Sequence, residues 1–201
     1  KGAAFYYLNG TFIGMNKDAK TPARFNITKI AKPGMNVIAV QIHRLSDANY
    51  LECQDMWRLS GFERDIYIYA QPKVRIADFT VRTPLDKTYK DGECSMDVLI
   101  NNASGANKAV SVSYNLMDAD EKTVLQSKEE KAVNESAKIT FGQNVIKNVK
   151  AWTAETPNLY TLVISLKDAS GKLLEATSAK VGFRTIAITN KQLLVNGQPI
   201  L

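Results

Sequence analysis

Apolar and polar residues alternate one by one along most of this chain, and no stretch keeps a helical period. The clearest alternation covers residues 37–42, 93–101, 109–116 and 161–167. A period of two places one face of an extended strand on a core and the other in water, as in antiparallel sandwiches. Helix is predicted only as a turn near residues 27–31. The chain is therefore predicted to be all-β.

Turn-forming residues separate the alternating stretches. Asn9-Gly10 is the strongest signal for a short hairpin, and Asn196-Gly197 predicts another, whose return strand is expected to be cut short after Ile200. Residues 118–122 and 168–172 are rich in Asp, Ser, Gly and Lys and predict hairpin tips.

The best domain boundary lies at residues 71–73. Residues 65–70 are predicted to form a finishing strand, Pro72 breaks the ladder, and Val74 begins a new strand. From Val74 to about residue 185 the pattern contains roughly seven short strands, which is typical of an immunoglobulin-like sandwich. Residues 1–71 contain about five strands, which are few for a closed sandwich, so this part is predicted to be incomplete.

Charge and cysteine content exclude several classes of function. The net charge of +6 comes from 26 basic and 20 acidic side chains spread along the chain, which argues against nucleic-acid binding. No apolar run is long enough to span a membrane. Cys53 and Cys94 provide neither a disulfide framework nor a metal-binding spacing.

No catalytic group can be assembled from sequence spacing alone. His43 is the single histidine, which excludes any site that needs a second histidine, such as a histidine-rich metal site. A serine or cysteine nucleophile that relies on His43 is conceivable, with Cys53 as the nearest candidate. A strand-end histidine satisfied by local hydrogen bonds is favoured over a base for Cys53. Hydrolysis of a glycoside needs two carboxyl groups across the bond. Solvated surface or ion pairs are the favoured interpretation of the candidate pairs, which are Glu129/Glu130, Asp118/Asp120 and Glu63/Asp65, the last beside Arg58 and Arg64.

The segment from Tyr50 to Asp65 is long and charged for a connection in an all-β protein. Trp57 and Tyr50 could stack on the apolar face of a sugar ring. Packing of Trp57 onto its own sandwich is the favoured alternative, and Trp152 is predicted to be a structural anchor.

Several stretches resemble, in the same order, the family 2 glycoside hydrolases, and above all the bacterial β-galactosidases. They are Leu8–Gly14 with Lys17–Phe25, Tyr50–Asp65, Trp152–Tyr160 with Val181–Arg184, and Leu193–Ile200. The resemblance implies that residues 1–72 are the C-terminal part of a jelly-roll sugar-binding domain. It further implies that residues 73–185 are an Ig-like β-sandwich and residues 186–201 the start of a (β/α)8 catalytic domain.

The same resemblance implies a parent enzyme that hydrolyses terminal β-galactosides with retention, using two glutamates on barrel strands that this chain does not contain. The chain alone is then expected to be inactive and to bind no cofactor, whereas the parent would use Na⁺ and Mg²⁺. Its partners would be the missing catalytic domain and a β-galactoside. A soluble enzyme of the bacterial cytoplasm or periplasm is implied, without a choice between the two.

Asp18 matches an aspartate that, in these β-galactosidases, helps to hold sodium beside the galactose 6-hydroxyl. Asn16-Lys17 before it departs from the best-known pattern. From the residues alone, Asp18 between Lys17 and Lys20 could equally be a solvated loop carboxylate. Two other functions stay open: a stand-alone carbohydrate-binding or adhesion module, and part of a β-glucuronidase or β-mannosidase.

Overall fold

The computed structural model describes residues 2–18, 21–52, 59 and 61–200. The described chain is built of strands, with one short helix, so the all-β prediction is confirmed. The chain divides into two compact units, which we call unit 1 (Lys1–Ile68) and unit 2 (Tyr69–Leu201).

Unit 1 contains a three-stranded antiparallel sheet in the order β2-β1-β3. Its elements are β1 (Ala3–Leu8), β2 (Thr11–Asn16), β3 (Ile38–His43) and the helix α1 (Ala48–Glu52). Asn9 and Gly10 have φ values of 51° and 80°, the left-handed conformation that a tight two-residue hairpin needs. The Asn9 side chain accepts a hydrogen bond from the Val37 amide at 3.0 Å, which fixes the start of β3 beside this turn.

One expectation for this region is wrong, because residues 65–70 form no strand. Three strands of the roughly five expected before Pro72 form among the described residues. The side chains of Ile66, Tyr67, Ile68 and Tyr69 are all more than half exposed. Alternation gives a segment the capacity to join a sheet, but a strand forms only where a neighbouring strand supplies the ladder. The turn expected near residues 27–31 is present: the amides of Ile30 and Ala31 both donate hydrogen bonds to the Ile27 carbonyl.

Unit 2 is an Ig-like sandwich of two antiparallel sheets, as predicted. Its strands are β4 (Val74–Arg82), β5 (Gly92–Asn102), β6 (Lys108–Met117), β7 (Thr123–Val133), β8 (Ser136–Ile146), β9 (Tyr160–Asp168) and β10 (Leu173–Val181). One sheet has the order β4-β5-β8 and the other β10-β9-β6-β7. The Asp118 and Asp168 carboxylates accept amide hydrogen bonds within their own turns, which confirms both hairpin tips.

Alternation along β5, β6 and β9 supplies the core between the two sheets. Every second side chain of these strands is buried, and the Tyr114 and Phe141 rings meet edge to face at 4.9 Å between centroids. Cys94 is a free thiol in this core, and burial raises its pKa to about 11. The thiol is therefore protonated and shielded at neutral pH.

A small antiparallel sheet follows the sandwich within unit 2. It consists of β11 (Ile186–Thr189), β12 (Gln192–Val195) and β13 (Gln198–Pro199). The Asn196-Gly197 turn forms as predicted, and its return strand pairs with β12 over two residues.

Candidate functional site

The loop that carries Asp18 begins where β2 ends and is held by local hydrogen bonds. The Asn16 side chain accepts a hydrogen bond from the Asp18 amide at 2.8 Å and donates one to the Asp18 carbonyl at 3.0 Å. The Asp18 carboxylate accepts a hydrogen bond of 2.6 Å from the Thr21 hydroxyl. Asp18 is exposed, and the Thr21 hydroxyl orients its carboxylate.

The far end of this loop packs back on the sheet through an aromatic side chain. The Phe25 ring lies against Gly14 on β2 and 4.8 Å from the Tyr6 ring on β1. A side chain at Gly14 would occupy the position of the Phe25 ring. The close approach explains why glycine follows the hairpin here.

Lys17 joins the Asp18 loop to the loop after β3. Its ammonium group lies 2.9 Å from a carboxylate oxygen of Asp47, and this hydrogen bond, together with the charge of Lys17, lowers the pKa of Asp47. The other Asp47 oxygen accepts the amide of Ala48, the first residue of α1. Sequence reasoning missed Asp47, although an aspartate before a short helix is a capping signal.

Two buried oxygens follow β3, Ser46 Oγ in the loop and Asn49 Oδ1 in α1. Neither has a hydrogen-bond partner within the part of the chain that the structure describes. The amide nitrogen of Asn49 donates to the Arg44 carbonyl at 3.1 Å, which orients the side chain. Each of these oxygens could accept a further hydrogen bond, close to the Asp47 carboxylate that Lys17 contacts.

Several of the remaining sequence candidates lie at the surface of the described structure. Glu130 forms a surface ion pair with Lys128, and Asp118 binds its own turn. Glu63, Arg64 and Asp65 are exposed. Trp57, Cys53 and Arg58 lie outside the described residues.

His43 lies at the end of β3 as predicted, but its ring contacts the Phe5 ring edge-on at 5.3 Å. The expected local hydrogen bonds do not form in the described structure, because the ring packs on an aromatic neighbour instead. Trp152 has the predicted structural role, with its amide donating to the Phe183 carbonyl and its side chain against Gly182.

The chemistry of the Asp18 loop suits a hard cation in part. Carboxylate oxygens are ligands that alkali and alkaline-earth ions accept, but such ions take several of them. Among residues 2–18, 21–52, 59 and 61–200, no group of three or more His, Cys, Asp and Glu side chains could hold a metal ion. A cation bound by Asp18 would therefore need further ligands besides the His, Cys, Asp and Glu side chains of these residues.

These observations define an all-β protein with an Ig-like sandwich in unit 2 and an exposed aspartate, Asp18, after the hairpin of unit 1. A family model described as glycosyl hydrolases family 2, sugar binding domain, matches residues 2–72, and the model for glycosyl hydrolases family 2 matches residues 74–184. The chain belongs to glycosyl hydrolase family 2.

Similar curated proteins are named β-galactosidases. The chain is 44% identical to one from Priestia megaterium over 202 residues, 36% to one from Pseudoalteromonas haloplanktis and 32% to one from Clostridium acetobutylicum. These alignments cover 98–99% of this chain and 19–21% of the relatives. The chain thus spans about a fifth of the length of the curated relatives it matches.

Similar solved structures include family 2 β-glucuronidases. One covers 100% of this chain and 23% of its own, with a TM-score of 0.83 and 21% identity. The β-glucuronidase of Ruminococcus gnavus covers 100% of this chain and 34% of its own, with a TM-score of 0.76 and 25% identity. At such identity the likeness supports the fold. No helix among the described residues is long and apolar enough to cross a membrane.

Proposed function

We propose that this chain forms the sugar-binding and Ig-like part of a retaining β-galactosidase. The observation that carries the proposal is the 44% identity to a β-galactosidase along 99% of this chain. Catalysis would come from two glutamates of a (β/α)8 domain that begins at about residue 186. The chain itself would act as a scaffold and contribute one wall of the sugar pocket.

Asp18 is the residue that we propose to reach the substrate. Its carboxylate is exposed and is positioned by Thr21 and by the turn of Asn16. Sodium, when bound, would supply a positive charge that a sugar hydroxyl can coordinate, and Asp18 would hold it together with oxygens of the catalytic domain. A contribution of Trp57 to sugar stacking and a need for Mg²⁺ stay predictions.

The second candidate is part of a family 2 β-glucuronidase. Its support is the match of both units to β-glucuronidase structures, at 19–25% identity. The β-galactosidases share 32–44% of residues with this chain, so sequence identity favours the β-galactoside.

The proposal is tested by assaying this chain alone with chromogenic β-galactosides and by titrating it with galactose in a calorimeter. We expect no turnover above buffer and weak or undetectable galactose binding, because the proposal assigns the catalytic glutamates and the other walls of the sugar pocket to the (β/α)8 domain. Asp18→Ala and a control variant at another exposed carboxylate, Asp65→Ala, should then give the same result.

Two results would contradict the proposal. Turnover by the chain alone would show that a catalytic pair lies within these residues. Submillimolar galactose binding that is lost in Asp18→Ala and kept in Asp65→Ala would instead identify a self-sufficient carbohydrate-binding module.

A further inference from the structure

Hydrogen bonds, in addition to the covalent connection, join the small sheet β11-β12-β13 to the Ig-like sandwich. The connection, residues 182–185, is not part of a strand, but it is hydrogen-bonded to Thr83, the residue after β4. The Thr83 hydroxyl donates to the Gly182 carbonyl at 2.9 Å, and the Arg184 amide donates to the Thr83 carbonyl at 3.1 Å. The Phe183 ring between these bonds is fully buried against Tyr160.

Asn196 makes the contacts that close the small sheet onto this connection. Its side-chain oxygen accepts a hydrogen bond from the Thr185 amide at 2.9 Å, and its own amide donates to the Thr185 carbonyl at 2.9 Å. Its side-chain nitrogen donates to the Trp152 carbonyl at 3.0 Å. One residue of the small sheet thus bonds two separate segments, since Trp152 lies before β9 and Thr185 follows β10.

The neighbours of Asn196 reinforce this arrangement. The Thr185 hydroxyl accepts a hydrogen bond from the Leu85 amide at 2.9 Å, and Arg184 lies 4.5 Å over the Trp152 ring. Gly197 packs against Tyr89, so that a Cβ at this position would lie 2.7 Å from the Tyr89 ring. Asn196 itself has a φ of 50°, a conformation that asparagine tolerates better than most residues.

We infer that Asn196 locks the small sheet to the Ig-like sandwich, so that residues 186–200 open and close with the sandwich as one body. The side-chain oxygen of Asn196 bonds the Thr185 amide and its side-chain nitrogen bonds the Trp152 carbonyl, and both backbone groups would otherwise need another partner. The direction in which the chain leaves β13 is then set by the sandwich. Only the consequence for catalysis rests on the proposed function: Asn196 would be a positioning residue for the domain that follows.

The test is amide hydrogen exchange, measured by NMR on the whole chain in its wild-type form and as Asn196→Gly. Glycine keeps the left-handed backbone and removes the side-chain hydrogen bonds. We expect the amides of Thr185, Asn196 and Ile200 to exchange at least about tenfold faster, because two side-chain hydrogen bonds are lost. The amides of Val112 and Leu166 in the sandwich should change by less than about twofold.

Asn190→Gly is the matched control, because Asn190 is also an asparagine with a φ of 50° and lies at the other turn of the same small sheet. Asn196→Asp keeps the acceptor for Thr185 but places a carboxylate oxygen where the amide nitrogen donated to the Trp152 carbonyl, so it should also accelerate exchange at Thr185 and Ile200. This second variant gives a result if Asn196→Gly does not fold.

Three results would overturn the inference, and none of them depends on glycosidase activity. The first is unchanged exchange at Thr185 and Ile200 in both Asn196 variants. The second is equal acceleration in Asn190→Gly and Asn196→Gly, which would show only the effect of a looser turn. The third is equal acceleration at Val112 and Leu166, which would show only a general loss of stability.

Discussion

In unit 2 the side chains of Val98, Val112 and Leu166 are completely buried, whereas in unit 1 the alternating strands leave Phe12 about half exposed. Among the described residues, the only buried apolar side chains of unit 1 are Ala3 and Leu8. Both units form antiparallel sheets from the same kind of sequence pattern. The difference is that unit 2 has a second sheet opposite the first, and burial between two sheets provides most of the free energy that holds a sandwich together.

The largest expected effect comes from opening the core of unit 2. Phe141→Ala should lower the free energy of unfolding of unit 2 by about 3–5 kcal/mol, because it removes a buried ring and leaves a cavity beside Tyr114. The measurement is urea unfolding followed by Trp152 fluorescence in a Trp57→Phe background.

Phe12→Ala is the matched control for that experiment. Its ring is 52% exposed, so its removal should lower the free energy of unfolding of unit 1 by less than about 1 kcal/mol, measured by circular dichroism because Trp152 lies in unit 2. Similar losses for Phe141→Ala and Phe12→Ala would contradict the contrast between the two units.

A smaller effect is expected from adding one methyl group to unit 2. Gly92→Ala would place a Cβ against the Phe183 ring and 2.9 Å from Val149, so it should cost about 1–3 kcal/mol in the free energy of unfolding. Gly142→Ala is the control, since a Cβ there meets nothing within 4 Å, and alanine loses less conformational entropy than glycine when a strand folds. The melting temperature, measured by circular dichroism, should fall in Gly92→Ala and stay the same or rise in Gly142→Ala.

The smallest effect concerns the outer face of the β4-β5-β8 sheet, where Asp97 is central. Hydrogen bonds from Thr140, Lys138 and Arg82 lower the pKa of Asp97 to about 2. A carboxyl group with a lowered pKa in the folded state stabilises the fold above its ordinary pKa near 3.8, and this stabilisation is lost as the pH falls through about 2. The melting temperature of the wild type should therefore fall more steeply between about pH 4 and 2 than that of Asp97→Asn.

The control for the pH profile is Asp78→Asn on the same face of the sheet. Asp78 is exposed and accepts a hydrogen bond from the adjacent Phe79 amide. Asp78→Asn removes a surface carboxylate but keeps the bonds of Thr140, Lys138 and Arg82 to Asp97, so comparing it with Asp97→Asn isolates the effect of those bonds. If Asp97→Asn and the wild type lost stability in parallel, the hydrogen bonds to Asp97 would not contribute to the acid sensitivity of unit 2.

The sequence predicted much of unit 2, because β5, β6 and β9 alternate and bury nearly every second side chain against the opposite sheet. It predicted the Asn9-Gly10 hairpin for a local reason, the left-handed backbone of both residues. It failed at residues 65–70, a run of Ile and Tyr that has no strand beside it among the described residues. Alternation is a local property, but strand formation depends on a partner that is distant in the sequence.

The candidate site was predicted only at the level of a single residue. Asp18 lies in the loop after the hairpin as expected, but its contacts with Thr21 and the link from Lys17 to Asp47 could not be inferred. Lys17 and Asp47 are thirty residues apart and meet because β1 lies between β2 and β3. No spacing rule in the sequence connects them.

The buried thiol of Cys94 gives unit 2 an internal reporter of its own opening. With 1% of its surface exposed and a pKa raised to about 11, it is shielded from alkylating reagents as long as β5 stays in its sheet. Labelling of Cys94 then measures how often the sandwich opens, and peptide mapping separates it from labelling of Cys53. Cys94 thus allows the opening of the sandwich to be followed over time with a native side chain and without an engineered probe.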